Sequence, residues 1–391
     1  MNKQLNLAVA AAVLAFSASA NAGITIPAGD WTVDIGGNMN AFYTHTQSDV
    51  TTAAGVKTSA ADSNTVGTGL LPSAFGIGAK SRQNDLDVAF QFSFFTGTAA
   101  GTGAAAGNNS LNIRQAFLSF GDASWGTIKM GRDLGVFGSD AILSDMTLLG
   151  VGVGGPASGS STLGRIGSGY IYADWVGQIQ YASPNWNGFS FTAAISEPLD
   201  NGVSLGTTKL STREDMGFEG KVDYDFSVSD VTGRVWLGGI SQEHSNGTFG
   251  GYTSEGWELG GKAAAYGFGL VGYYYSGDGL DSQNGGVAGG LKFASGQKTD
   301  DNGGYVQGTY TIPGIGTKLG ASWGTSNSKG QTNAFDIENE SWIIGAYHPL
   351  TKSLNLVAEY TSQEIKNSVA TGTATAKTEN DTVSLGAIMF F

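Results

Sequence analysis

Residues 31–43 read WTVDIGGNMNAFY, and their apolar and polar side chains alternate with a period of two. One face carries Trp31, Val33, Ile35, Met39 and Tyr43. Successive side chains of a β-strand point to opposite faces, so this alternation is typical of a strand with one apolar face. The same pattern recurs in residues 85–94, 215–224 and 354–361. The chain is therefore predicted to be all-β.

The composition excludes several classes of protein. The 391 residues contain 33 acidic and 20 basic side chains, a net charge of −13, whereas nucleic-acid binders carry a basic surface. No nucleic-acid partner is therefore expected. The chain has no cysteine, which rules out disulfides, thiolate metal sites and a cysteine nucleophile. With 62 glycines but only 7 prolines, and with 11% aromatic residues, the sequence is unlike a disordered tract.

The first 22 residues have the features of a signal peptide. Lys3 gives a basic start, residues 7–16 (LAVAAAVLAF) form a short apolar run, and residues 20–22 (Ala-Asn-Ala) fit a cleavage site. The run is too short to span a membrane as a helix. We predict that residues 1–22 are removed on export, which leaves residues 23–391 as a single domain.

The rest of the sequence favours a transmembrane barrel over a soluble β-sandwich. No later segment has about 18 consecutive apolar residues, so no helical membrane span is predicted. The polar faces carry charged residues, Gly, Ser and Thr, which suits a water-filled lumen, and Trp and Tyr lie near predicted strand ends, as at membrane interfaces. Because an open sheet edge is not tolerated in hydrocarbon, the sheet must close. We therefore predict an all-β, transmembrane antiparallel β-barrel.

The alternation of short turns and long loops gives the number of strands. Polar, Gly-rich loops are predicted at residues 46–71, 96–110, 133–168, 197–213, 242–254, 277–303, 326–338 and 364–379. Short turns are predicted near residues 82–84, 121–126, 183–188, 225–230, Gly267, 313–316 and 349–353. Eight loops and seven turns correspond to 16 strands. Residues 287–293 also alternate, but single-chain bacterial barrels have even strand numbers, so we assign these residues to the sixth loop.

Three motifs and the end of the chain carry a resemblance to a known family. The motifs are RQAFLSF at residues 114–120, WGTIKMGR at 125–132 and QYASPNWNGF at 180–189, and the last residues, from Glu379, end on Phe391. Together they resemble the general diffusion porins of Gram-negative outer membranes, in particular the trimeric sixteen-stranded type. The chain departs from the family at Gln180, where an arginine is common, and at residues 387–389, which lack the usual basic residue. These departures concern the charge of the pore rather than the fold.

The resemblance implies a fold, a location and a function. It implies a homotrimer in the outer membrane, in contact with membrane lipid and lipopolysaccharide. Such a barrel lets ions and small hydrophilic solutes diffuse passively and needs no cofactor. The resemblance also implies that the third external loop, residues 133–168, folds into the lumen and narrows it. Phe391 is then either an assembly signal at the carboxyl terminus or simply the end of the last strand.

In such a constriction, acidic side chains on the loop face basic side chains on the barrel wall. The acidic candidates are Asp133, Asp140 and Asp145. The basic candidates are Lys80, Arg114, Lys129, Arg132 and Arg165. Alternation points Lys80 and Lys129 inward, away from lipid, where Arg or Lys costs roughly 2–4 kcal/mol at the midplane. Arg132 has the opposite parity, but it lies where the strand ends and the loop begins. The alternation does not decide the direction of Arg114, whose place among the candidates rests on the resemblance.

Other functions have weaker support in the same sequence. Residues 150–155 (GVGVGG) lack the strand and helix that flank a phosphate-binding loop, and the 3 histidines are scattered. Four aspartates of the sixth loop either hold calcium or form a solvated acidic surface, namely Asp278, Asp281, Asp300 and Asp301. A substrate-specific channel and a structural or adhesive barrel with a closed pore are the alternatives to a diffusion channel, and no enzyme motif is evident. The net charge hints at cation preference, but only the charges at the narrowest ring decide selectivity.

N-terminal sequencing of the exported protein tests the cleavage site. The expected mature chain begins Gly23-Ile24-Thr25, because Ala20 and Ala22 present the small side chains that signal peptidase requires. The substitution Ala22→Asp is expected to block processing and to leave the precursor in the inner-membrane fraction. A mature chain that begins at any other residue would contradict the prediction.

Overall fold

The alternating segments form 16 antiparallel strands of one sheet. In this computed structural model the strands are β1 Trp31–Thr52, β2 Ser73–Gln83, β3 Leu86–Thr96, β4 Asn112–Asp122, β5 Gly126–Leu134, β6 Trp175–Ala182, β7 Phe189–Ser196, β8 Gly217–Val228, β9 Val231–His244, β10 Tyr252–Ala265, β11 Phe268–Asp278, β12 Thr299–Thr311, β13 Lys318–Gly330, β14 Asp336–Pro349, β15 Leu354–Asn367 and β16 Thr375–Phe390. The structure describes residues 23–97, 111–154, 161–197, 204–205, 208–209, 215–244, 252–280, 282, 298–330, 336–369, 372 and 374–391. The predicted signal peptide, residues 1–22, and the alternating residues 287–293 lie outside the described residues.

β1 closes the sheet because it pairs with both β2 and β16. Thr32 lies opposite Lys80 of β2, and Asn38 lies opposite Phe390 of β16. Every other strand pairs with its neighbours in sequence order, so the described strands leave no open edge. The predicted closed barrel of 16 strands is confirmed.

A few short elements lie outside the main strands. Ile24–Ala28, Lys57–Ser59 and Ser63–Gly67 each pair with β1, and Ser204–Leu205 pairs with Thr208–Lys209. A short helix, α1, spans Ser139–Ser144. Within the described part of the chain, no helix has the length and apolar character needed to cross a membrane.

The two faces of the strands differ in polarity. Phe92, Leu118 and Leu259 lie on one face and are 44%, 49% and 52% exposed. The other face carries buried polar side chains such as Gln115 and Ser322. In a barrel that is surrounded by lipid, the exposed apolar face is the outer face and the polar face is the inner face. We use these two names below.

The seven predicted turns all join consecutive strands. The shortest are two-residue hairpins of the types that match the twist of the strands, in which one or both central residues have a positive φ. Asn84 and Asp85 have φ of 48° and 63°, Tyr266 and Gly267 have φ of 52° and 85°, and in the turn at 229–230 Ser229 has φ of 52°. Asn, Asp and Gly tolerate this region well, so the turn at 84–85 follows from local sequence, whereas Tyr266 and Ser229 are unusual residues at such positions.

The seam of the barrel joins the two ends of the described chain. Gly37 N–H donates to Phe391 O at 2.9 Å, and Phe391 N–H donates to Gly37 O at 3.1 Å. Ile24–Ala28 pairs with the start of β1, beyond the last residue of β16. The final residue of the chain is thus part of the closed ladder, and its role as an assembly signal stays a prediction.

Gly37 is the position at which this seam can be tested. A Cβ at Gly37 would overlap the Ala74 carbonyl oxygen of the neighbouring strand, whereas a Cβ at Gly272 would meet nothing within 4 Å. We expect Gly37→Ala to lower the free energy of unfolding by about 1–3 kcal/mol, the usual cost of overpacking. The control Gly272→Ala is expected to be close to neutral. The temperature at which the folded form disappears from SDS gels gives the unfolding midpoint of each variant. Equal midpoints for the two variants would contradict the prediction.

Candidate functional site

The 40 residues between β5 and β6 contact strands on the far side of the barrel. This β5–β6 segment, residues 135–174, contains α1 and a 3₁₀ turn at Met146–Leu149, and its residues 155–160 lie outside the described ones. The Asp145 side chain caps the turn by accepting from Thr147 N–H at 2.9 Å. The predicted loop, 133–168, thus begins and ends slightly earlier than the observed one.

Three buried glutamates hold the backbone of the β5–β6 segment. Glu219 of β8 accepts the N–H groups of Val136 and Phe137 at 2.7 and 2.8 Å. Glu258 of β10 accepts from Gly138 N–H at 2.9 Å. Backbone N–H groups that are buried in an irregular segment need partners, and a carboxylate acceptor makes a stronger hydrogen bond than a neutral one.

Glu359 of β15 is the third of these anchoring glutamates. It accepts the N–H groups of Val151 and Gly152, both at 2.8 Å. The three glutamates are 6%, 0% and 4% exposed. They belong to strands that span half of the barrel wall, so the segment is fixed at several points rather than at one.

Buried tyrosines add a second set of contacts between wall and segment. Tyr305 of β12 donates to the Ala141 carbonyl at 2.8 Å, and Tyr170 of the segment donates to Asp145 at 2.8 Å. Tyr273 and Tyr347 donate to Glu258 and Glu359. The rings of Tyr170, Tyr273 and Tyr305 pack in one cluster with apolar residues of the segment such as Ile142, and Tyr347 packs in a second cluster that includes Met146 and Val151 of the segment. The segment therefore shares an apolar core with the inner face of the strands.

Asp140 is the acidic residue that meets basic side chains of the wall. It forms an ion pair with Lys221 of β8, and Arg234 Nη1 of β9 lies 3.3 Å from its Oδ1. Arg234 also donates two hydrogen bonds to Asp225, at 2.6 and 2.8 Å. Burial alone would raise the pKa of Asp140, but the positive charge of Lys221 and Arg234 outweighs it and holds this pKa below its usual range.

The sequence candidates did not include Lys221 and Arg234. The signal was nevertheless present for Lys221, which alternates with the apolar Val222 and Tyr224 and so has inward parity. The alternation does not predict the path of the β5–β6 segment, and it is this path that brings Asp140 to Lys221 and Arg234.

Asp145 and Arg165 both lie in the β5–β6 segment, so Arg165 is not part of the wall. Asp145 accepts from Tyr170 and from a backbone amide rather than from a basic residue. Arg165 is fully buried, and its guanidinium donates to Ser322 and Ser341 of β13 and β14. Arg165 thus attaches the segment to the wall.

Asp133 is a wall residue rather than a loop residue, because β5 continues to Leu134. It forms an ion pair with Lys129, four residues earlier on the same face of the strand. Gln115 Nε2 donates to Asp133 at 3.0 Å. Both residues of this ion pair belong to the wall, and the Lys129 side chain points inward, as the alternation predicts.

Arg114 lies at a β-bulge. The pairing of β3 with β4 shifts between Ser93 and Phe94, which leaves Arg114 as the extra residue. Its guanidinium lies 4.9 Å from the centre of the Phe95 ring and 5.9 Å from that of Trp175. The bulge explains why alternation did not decide its direction.

Lys80 and Arg132 do not contact the acidic candidates. Lys80 pairs with Asp34 at 3.1 Å, close to the turn end of β2. Arg132 is exposed, and its neighbours across the sheet are Ala116 and Gly177 on the outer face. Its Nε donates to the Trp175 carbonyl at 3.0 Å. The strand parity therefore decides the direction of Arg132, and it is not part of a basic inner wall.

Two of the four aspartates predicted for the sixth loop have protein partners. Asp301 accepts from the N–H groups of Leu280 and Ser282 at 3.0 and 2.9 Å, and Asp278 lies 3.6 Å from Lys298. Asp281 lies outside the described residues. Among the described residues, no three His, Asp or Glu side chains are grouped as a metal site would require.

The substitution Glu359→Ala tests the anchoring role. It removes the acceptor of two buried amides, and each unsatisfied group costs about 1–3 kcal/mol. We expect faster hydrogen exchange at Val151 and Gly152 and a lower thermal midpoint. Glu359→Gln keeps one acceptor oxygen and is expected to have a smaller effect. Glu255→Ala, at an exposed site, is the control, and unchanged exchange in Glu359→Ala would refute the role.

Solved structures of bacterial outer-membrane proteins and porins share this fold. OmpT of Vibrio cholerae is 16% identical with a TM-score of 0.60, and 94% of this chain and 100% of that chain are covered. DcaP of Acinetobacter baumannii is 14% identical with a TM-score of 0.63 and coverages of 95% and 100%. The anion-selective porin from Comamonas acidovorans is 17% identical with a TM-score of 0.58 and coverages of 92% and 100%. At these identities the likeness concerns the fold alone.

No curated protein sequence matches this chain. The profile of the Gram-negative porin family matches residues 8–368, almost the whole chain. Together with the closed barrel of 16 strands, this match establishes that the chain belongs to the Gram-negative porin family, whose members form diffusion channels in the outer membrane.

Proposed function

We propose that the protein is a passive channel for ions and small hydrophilic solutes, in which the β5–β6 segment lies inside the lumen and narrows the passage. The observation that carries this proposal is the set of hydrogen bonds from the segment's amides to Glu219, Glu258 and Glu359. These glutamates belong to β8, β10 and β15 and lie on the inner face. A segment that starts at β5 reaches all three by the shortest path through the interior.

The remaining parts of the proposal come from the family. The channel is a homotrimer in outer-membrane lipid, with lipopolysaccharide around its loop end. Residues 1–22 direct export, and Phe391 acts in assembly. The protein performs no covalent chemistry and uses no cofactor, since diffusion down a gradient requires neither.

A barrel with a closed pore is the second candidate, because two loops meet across the interior. Leu70 N–H donates to the Gly150 carbonyl at 2.9 Å, and Thr162 N–H donates to the Gly69 carbonyl at 3.1 Å. These bonds join the loop between β1 and β2 to the β5–β6 segment. A substrate-specific channel has less support, since the inner tyrosines lie buried against the segment rather than along the passage.

Conductance in planar bilayers distinguishes these candidates. We expect large ohmic steps, in groups of three, from the purified protein. In a variant that replaces residues 136–173 by a short Gly-Ser linker, we expect larger steps and entry of larger sugars in a liposome-swelling assay. The linker is feasible because Leu134 and Trp175 are paired across the two strands.

A matched control replaces residues 245–251, between β9 and β10, by the same linker. An unchanged conductance in the first variant would contradict the placement of the segment in the passage. No conductance from a folded wild-type barrel would favour the closed barrel.

A further inference from the structure

Burial divides the charges of the inner face into two groups. Most carboxylates of the inner face and of the β5–β6 segment are at most 6% exposed. On the inner face they are Asp133, Glu219, Asp223, Glu258 and Glu359, and in the segment they are Asp140 and Asp145. Most of them accept from amides of the β5–β6 segment, from tyrosines or from a basic residue, as described above. An ion in the passage therefore has little access to these acidic groups.

The basic side chains of the inner face stay accessible. Seven are partly or fully exposed, namely Lys80, Arg114, Lys129, Lys221, Arg234, Lys262 and Lys318. Only two carboxylates of the described inner face between the turns and the loops are comparably accessible, Asp34 and Asp225, with side-chain exposures of 20% and 39%. Each of them is already paired with a basic residue. At the turn end, Arg82 pairs with Asp87 and Asp122.

Three of these basic residues form no salt bridge with any described residue. The Lys262 ammonium lies 3.3 Å from the Ser144 hydroxyl, and the Lys318 ammonium lies 4.8 Å from the centre of the Tyr347 ring. Arg114 stacks on aromatic rings, as described above. Each of the three retains a positive charge that an ion in the passage would meet.

The pairing of β9 with β10 adds a further indication. Lys262 lies directly opposite Arg234 on the same face of the sheet. Two like charges at such a cross-strand position destabilise a sheet. An anion in the passage would relieve this repulsion, and the nearest carboxylate of the segment, Asp140, is also shared with Lys221.

The negative charge of the whole chain is located elsewhere. Many acidic residues lie on the outer face where the strands approach the loops, among them Asp49, Glu338, Glu364, Glu379 and Asp381. There they pair with lysines such as Lys57, Lys366 and Lys377. The net charge of −13 is therefore a poor guide to the passage.

We infer that the passage selects small anions over cations, and that Arg114, Lys262 and Lys318 determine this preference. The inference rests on the proposed function, since it requires an open channel. Side chains with a net positive charge raise the local concentration of anions and lower that of cations, and a narrow, partly dry lumen strengthens the effect.

The reversal potential in a potassium chloride gradient tests the inference. The reversal potential of the wild-type protein is expected to have the sign that indicates chloride preference. This preference should weaken at high salt, because the Debye length falls from about 10 Å at 0.1 M to about 3 Å at 1 M. Lys262→Gln and Lys318→Gln, singly and together, should lower the ratio of chloride to potassium permeability. Coulomb's law in water gives about a twofold change in local ion concentration for one charge about 10 Å from the path.

Lys366→Gln removes the same charge from the outer face and is the matched control, with no expected change in the ratio. Arg114→Gln provides an independent variant if a lysine substitution prevents folding, which migration of unheated samples on SDS gels reveals. Potassium preference in the wild type, or an unchanged ratio in the double variant, would overturn the inference and leave the channel proposal intact. A folded barrel without any conductance would overturn both.

Discussion

The hydrocarbon of a membrane offers no hydrogen-bond partners, so every backbone N–H and C=O group within it must be paired inside the protein. A sheet meets this condition only when it closes on itself. Here closure depends on β1, which pairs with β2 on one edge and with β16 on the other. The division into an apolar outer face and a polar inner face follows from closure, because alternate side chains then point to lipid and to the interior.

The buried backbone groups of the β5–β6 segment must also find hydrogen-bond partners within the protein. This irregular segment packs against inner-face side chains and carries buried N–H groups that need acceptors. The wall supplies the carboxylates of Glu219, Glu258 and Glu359 as acceptors for these groups. The Tyr305 hydroxyl donates to a carbonyl oxygen of the segment. These acidic groups are thereby buried in structural hydrogen bonds, whereas basic side chains of the inner face such as Lys262 and Lys318 stay partly exposed.

Much of the fold could be predicted from the sequence, since alternation and turn chemistry are local signals. The strand number, the seven short turns and the direction of Lys129 all follow from them. Parity also determines the direction of Arg132, and the expectation that placed it in the wall relied instead on its position where the strand ends and the loop begins. The partners of Asp140 and the location of Arg165 could not be predicted, because they depend on the path of 40 irregular residues that no periodic pattern describes.

The contact between Gly37 and Phe391 has a consequence for the order of folding events. It joins residues that are separated by nearly the whole chain, so the entropy of closing this loop is greater than that of any hairpin in the barrel. Hairpins between consecutive strands close short loops, whereas the seam pairs β1 with β16 and therefore requires β16 to be present. A chain that is interrupted before β16 would expose two strand edges, and such edges promote pairing with other chains. Only a chain that contains β16 can close the sheet and so remove both reactive edges.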